Sequence, residues 1–136
     1  ISFINKYGIM QDLWFYLKEV KSISRTNENY KANILQANAT YAEVKPSVKL
    51  LNTKAKQSRT LSSGYYPQGA NEYFEQLLLS EHVWITRPKK NNPANNETVP
   101  VVVKTSSFSY KTSVNDRLVE YTMTFEDAFD YINNIR

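Results

Sequence analysis

From residue 119 the chain alternates. Val119, Tyr121, Met123 and Phe125 fall on one side, and Glu120, Thr122, Thr124 and Glu126 on the other. That period of two predicts a half-buried strand whose apolar set faces a core. Phe129 and Tyr131 keep the phase, which leaves a continuation past an irregularity at Asp127 open. Upstream, Val99-Pro-Val-Val-Val103 with Phe108 and Tyr110 predicts a second strand, Pro100 being confined to its start. Turn formers at 113–116 separate the two, so the C-terminal third reads as a long β-hairpin. A helix is predicted over 72–79, with Asn71 as its cap and Glu72 and Glu75 at the positive end of its dipole. Phe74, Leu77 and Leu78 form its apolar face, and a strand over 82–86 follows. The expected core is Val119, Tyr121, Met123 and Phe125 against Phe74, Leu77, Trp84 and Val101.

The first 60 residues are less regular. Leu13-Trp-Phe-Tyr-Leu17 is apolar on both faces, and Met10, Leu13, Leu17 and Val20 also suit a helix. Periodicity does not arbitrate there; the aromatic content favours a buried strand. Further strands are expected over 30–40 and 44–60, the latter with Val48 and Leu50 inward. Segments 52–69 and 87–98 lack a sustained apolar period and are expected as extended loops. Together these elements predict a mainly β fold, an antiparallel β-sandwich or partly closed barrel with one short flanking α-helix.

Length and composition narrow the function. The 136 residues suit a single domain over 1–136, and a first residue of Ile1 rather than Met suggests the C-terminal part of a longer chain. With no cysteine and one histidine, disulfides, thiolate chemistry and Cys- or all-His metal sites are excluded within the sequence. Three isolated glycines cannot build a phosphate-binding loop, and no nucleophile motif is present. His82 sits at the helix–strand join, where a capping or packing role outweighs general-base chemistry. Glu126, Asp127 and Asp130 are explained more simply by a solvated strand face than by a catalytic carboxylate pair. The expectation is a non-enzyme with no cofactor and no metal. No apolar run reaches the ~18 residues of a membrane span.

Charge is uneven. No acid lies between Glu43 and Glu72, whereas Lys45, Lys49, Lys54, Lys56 and Arg59 do, and the last strand is acidic on its polar side. A formal charge of +4 is a modest footprint for nucleic acid, which is disfavoured as a specific ligand. A basic arm and an acidic edge suit pairing between copies, or else are two solvated faces. The nominated contacts are Lys54, Lys56, Arg59, Lys89 and Lys90 on the two long segments, facing Glu120, Glu126 and Asp130 of a neighbour. Tyr65 and Tyr66 complete the set, and they also carry the alternative of a monomeric glycan- or protein-binding module with Tyr-rich loops.

Several stretches together resemble a known group. Phe3-Ile-Asn-Lys-Tyr-Gly8 with Gln11-Asp-Leu-Trp-Phe15, then 73–84, then 115–125 with 129–136, are similar to tail-tube and baseplate structural proteins of tailed bacteriophages. The resemblance touches about half of the chain. It implies a β-sandwich flanked by one helix, with long loops that reach neighbouring subunits. It also implies a virion protein of the tail, assembled in the bacterial host cytoplasm, whose partners are copies of itself in a ring and adjoining virion proteins.

Overall fold

The computed structural model describes residues 1–32, 46–89, 91–107, 109–110 and 118–130. Seven strands form one antiparallel sheet, and the described residues contain one short helical segment. In chain order these are β1 (Ser2–Ile4), β2 (Met10–Asp12), β3 (Lys18–Lys31), β4 (Val48–Pro67), then a 3-10 turn (Gln68–Ala70) running into α1 (Asn71–Leu79). β5 (Val83–Lys89), β6 (Asn92–Val103) and β7 (Leu118–Asp127) follow. The strands lie side by side as β2-β1-β5-β6-β7-β4-β3. The mainly β fold with a short flanking helix is therefore as expected, built as a single sheet that is not closed.

The sheet must nevertheless curl. β2 and β3 are its opposite edges, yet only residues 13–17 connect them. Seven flat strands put the edges ~29 Å apart, at about 4.8 Å per strand. The linker can span ~21 Å at most, at about 3.6 Å per residue. The edges have thus rolled toward each other, and 13–17 crosses the concave face between them. Leu13 is buried, and the Phe15 ring stands edge-on to Phe74 and Phe125 at 6.0 and 5.7 Å. Trp14 and Tyr16 point outward. The expected strand there is an irregular crossover, apolar on both faces because one side packs and the other lies on neighbouring side chains.

Cross-strand register sets the core. Phe3 lies opposite Val83, Val83 opposite Val101 and Val101 opposite Asp127, a row on one face across four strands. Leu61 faces Met123 in β7. Val119, Tyr121, Met123 and Phe125 are buried as the alternation predicts, and Phe74 and Leu77 of α1 close over them. Trp84 does not join them: Val83 and Ile85 hold the inward parity, so Trp84 turns to the other face and stacks on His82. Asn71 does not cap α1 either. Ala70 is the N-cap, and the Asn71 carboxamide oxygen accepts instead from the Tyr121 hydroxyl at 2.7 Å.

Segments 52–69 and 87–98 are not loops. Most of the first belongs to β4, and the second is divided between β5 and β6, which pair from Val83↔Val101 to Lys89↔Asn92. In 87–98 a ladder wet on both faces carries no apolar period, and in 52–69 the buried run Arg59, Leu61, Ser62 and Ser63 is mostly polar. Val48 and Leu50 are exposed rather than inward. β6 and β7 do pair, over Val101↔Asp127 to Val103↔Phe125, so the C-terminal hairpin is shorter than expected, and Tyr110 lies outside β6. β7 ends at Asp127. Phe108, the 113–116 turn, Tyr131 and the expected strand beyond 32 lie outside the described residues.

Candidate functional site

β4 divides into two halves. Residues 58–62 and 65–67 pair with β3 or β7 inside the body, whereas among the described strands 48–57 pair with β3 alone. Residues 23–31 and 48–57 therefore leave the sheet as a two-stranded ribbon about 30 Å long, at about 3.3 Å per residue. All of β3 is exposed. The ribbon is built of Ser, Thr, Asn and Lys with a bulge at Leu51, between the Glu28↔Asn52 and Asn29↔Leu50 pairs.

Two features distinguish this arm. Arg25, Lys31, Lys49, Lys54 and Lys56 stand against the single acid Glu28. Tyr30, Val48, Leu50 and Leu51 cluster toward the distal end of the described ribbon, each between 45% and 67% exposed. Cations thus run the length of the arm, and its large apolar side chains other than Ile23 gather at the distal end of the described part. Its outer strand β3 also presents the free edge of the sheet, where Lys18, Lys21, Arg25 and Lys31 guard against indiscriminate strand pairing.

The nominated contact residues distribute unevenly over this frame. Lys54 sits on the arm opposite Thr26. Lys56, also on the arm, reaches Glu126 of its own chain at 3.2 Å, and Lys104 reaches the same carboxylate at 3.5 Å. Arg59 is buried on the concave face and donates to Glu19 at 2.7 Å. Glu120 accepts from the Ser62 hydroxyl. Asp130 lies past the end of β7, off the strand on which its parity was counted. Lys89 is at the tip of the β5–β6 hairpin, and Lys90 is outside the described residues.

Tyr65 and Tyr66 belong to β4, not to a loop. Tyr65 is exposed, but the Tyr66 hydroxyl donates to the Trp14 carbonyl at 2.8 Å and accepts its amide at 3.1 Å. Its ring stands edge-on to Phe74 at 5.3 Å, so Tyr66 fastens the crossover to the sheet. Just before it, Gly64 takes φ +79° at the β4 bulge, and a Cβ there would lie 2.3 Å from the Tyr16 ring.

Sequence reasoning missed a charged layer beneath the crossover. Arg87 holds the inward parity of Val83 and Ile85, donates to Glu97 at 2.6 Å and stands 3.7 Å from buried Asp127. Together with Arg59 it lines a cavity of about 590 Å³ at the mouth of the curl. These guanidinium groups face carboxylates of the same chain, so the layer is internally matched in sign. Arg87 and Asp127 are each in phase with apolar neighbours, and that was the available signal. Among the described residues no group of three His, Cys, Asp or Glu side chains is placed to hold a metal ion, and no helix is long and apolar enough to cross a membrane. No protein-family model, characterised protein or solved structure matches this chain.

Proposed function

We propose that this chain is a structural subunit that works by assembly, engaging neighbouring copies through the β3–β4 arm. The observation that carries this reading is a ribbon whose outer strand β3 is exposed along its whole length and whose distal end holds Tyr30, Val48, Leu50 and Leu51 in solvent. An isolated two-stranded hairpin is marginal in water, and a third strand or an apolar face from a neighbour supplies what it lacks. The virion placement, a phage-like tail or baseplate, draws its support from the resemblance of 3–15, 73–84 and 115–136. The arm takes over the contact role that was expected of 52–69 as a loop.

The recognition-module alternative draws less support, because Tyr66 is committed to the crossover and Tyr65 lies on a paired strand. The test replaces residues 24–56 by an Asn-Gly turn, joining Ile23 to its cross-strand partner Gln57. The expected result is a folded monomer by circular dichroism and light scattering, beside an oligomeric parent. A parent that stays monomeric at micromolar concentration, or a shortened chain that assembles as well, overturns the reading. Mass spectrometry of purified particles checks the virion placement.

A further inference from the structure

The arm needs a seat, and its own chain carries one that it cannot reach. A groove of about 450 Å³ runs between α1 and the β1–β2 turn. Glu72, Glu75, Gln76 and Leu79 line one side of it, and their spacing places them on a single stripe of the helix. This stripe differs from the one that α1 buries, which carries Phe74 and Leu77. Leu79 is 72% exposed and offers apolar surface. Glu81 adds a third carboxylate, while Lys6, the one lysine or arginine among the described lining residues, is already bound to Glu72 at 2.5 Å. Glu75 accepts a hydrogen bond from the Tyr110 hydroxyl.

The distal arm is the complement of this groove. Lys31, Val48 and Leu50 share one face of the arm, Tyr30 and Lys49 the other, and Leu51 stands at the bulge between them. The two features sit at opposite ends of β4, whose twenty residues span about 65 Å. An arm cannot fold back that far onto its own helix while its ladder with β3 is intact. We infer that the distal arm of one copy seats in the groove beside α1 of the next copy, its Lys31, Val48 and Leu50 face turned to Glu75, Leu79 and Glu81 and Lys49 at the rim. This inference rests on the assembly reading above and specifies its acceptor. Donor and acceptor are different surfaces, so the contact is heterologous and repeats head to tail, closing into a ring or extending as a filament.

The test is a charge exchange in the full chain. One variant carries Lys31→Glu with Lys49→Glu, the other Glu75→Lys with Glu81→Lys. Each alone should lose about tenfold or more in association, measured by sedimentation velocity at low salt. An equal mixture should regain assembly, because the reversed arm fits the reversed groove and the native arm fits the native groove. Leu79→Lys with Glu81→Lys, confined to exposed side chains, repeats the acceptor test should the first acceptor variant fold poorly. If the acceptor variants assemble like the parent while arm shortening abolishes assembly, the seat lies elsewhere and only this inference falls. A parent that never assembles removes the assembly reading and this inference with it.

Discussion

β3 and β4 run through two environments without a break. In the body, β4 from 58 to 67 has a strand on each side over most of its length, and Leu61 and Ser63 lie buried beneath the crossover and α1. In the arm the same strand from 48 to 57 is paired with β3 among the described strands, is exposed over 48–51, and is at most half-buried beyond. The backbone ladder is alike in both halves; what differs is side-chain burial. A ladder fixes shape, whereas burial supplies most of the stability, at roughly 1.5–3 kcal/mol for each large apolar side chain fully removed from water. The body is thus stable by itself and the arm is ordered at the expense of its surroundings.

That contrast is open to direct measurement. Hydrogen exchange on the dilute chain should separate the halves most widely. Central amides of β7 should exchange roughly a thousandfold or more slowly than those of 48–57, since body strands open only with global unfolding. Equal protection in both halves would show that the arm is stabilised by the body alone. Assembly should then slow exchange in the arm far more than in β7.

Substitution gives the next largest effect. Phe125→Ala should destabilise by roughly 3–5 kcal/mol in urea unfolding, as a fully buried ring is lost. Leu50→Ala, on the arm, should stay within about 0.5 kcal/mol for the dilute chain while weakening association. Similar losses at the two sites would erase the distinction between body and arm. Gly64→Ala tests the fastening of the crossover: a left-handed φ and the Tyr16 ring both oppose a Cβ, and the expected cost is roughly 2–3 kcal/mol.

The smallest effect concerns the rim of the groove. The hydrogen bond from Lys6 lowers the Glu72 carboxyl below its ordinary 4.5 and raises the Lys6 ammonium above its ordinary 10.5. For the acid, the folded value is depressed, so its contribution is present above the ordinary value and fades as pH falls through the folded one. For the lysine the contribution is complete below its ordinary value and fades as pH rises through the raised one. Both side chains are well exposed, so the melting temperature should barely respond. An NMR titration should nonetheless show Glu72 ionising early, and Lys6→Met should return it to the ordinary value.

How far the sequence disclosed this molecule follows from which faces are dry. β7 and α1 each bury one face, and their apolar periods located Phe74, Leu77, Val119, Tyr121, Met123 and Phe125 correctly. Trp84 was misplaced because a large aromatic was given precedence over the parity of Val83 and Ile85. The strand expected over 44–60 is met by β4 from Val48 onward, whereas β3 and the distal parts of β5 and β6 were illegible as strands, since polar residues on both faces leave no alternation to read. The crossover looked like a strand or a helix because Leu13 and Phe15 face inward while Trp14 and Tyr16 lie on the outside of the same five residues. Of the nominated contacts, Lys54 and Lys56 fall on the arm, but Arg59, Glu120 and Glu126 serve bonds within the chain. The partners of those groups arrive from strands distant in sequence, which no local pattern can reveal.

β4 is also a mechanical element. One strand, bulged at Leu51 and at Gly64, runs from the arm to the turn that begins α1, so the proposed donor and acceptor surfaces lie toward the two ends of a single element. Antiparallel hydrogen bonds lie perpendicular to the strand. A pull along β4 therefore loads its bonds to β3 and β7 side-on and many at once, instead of peeling them one after another. In a head-to-tail series of copies, tension would pass from groove to arm through these strands in turn, and the body would hold each one in shear.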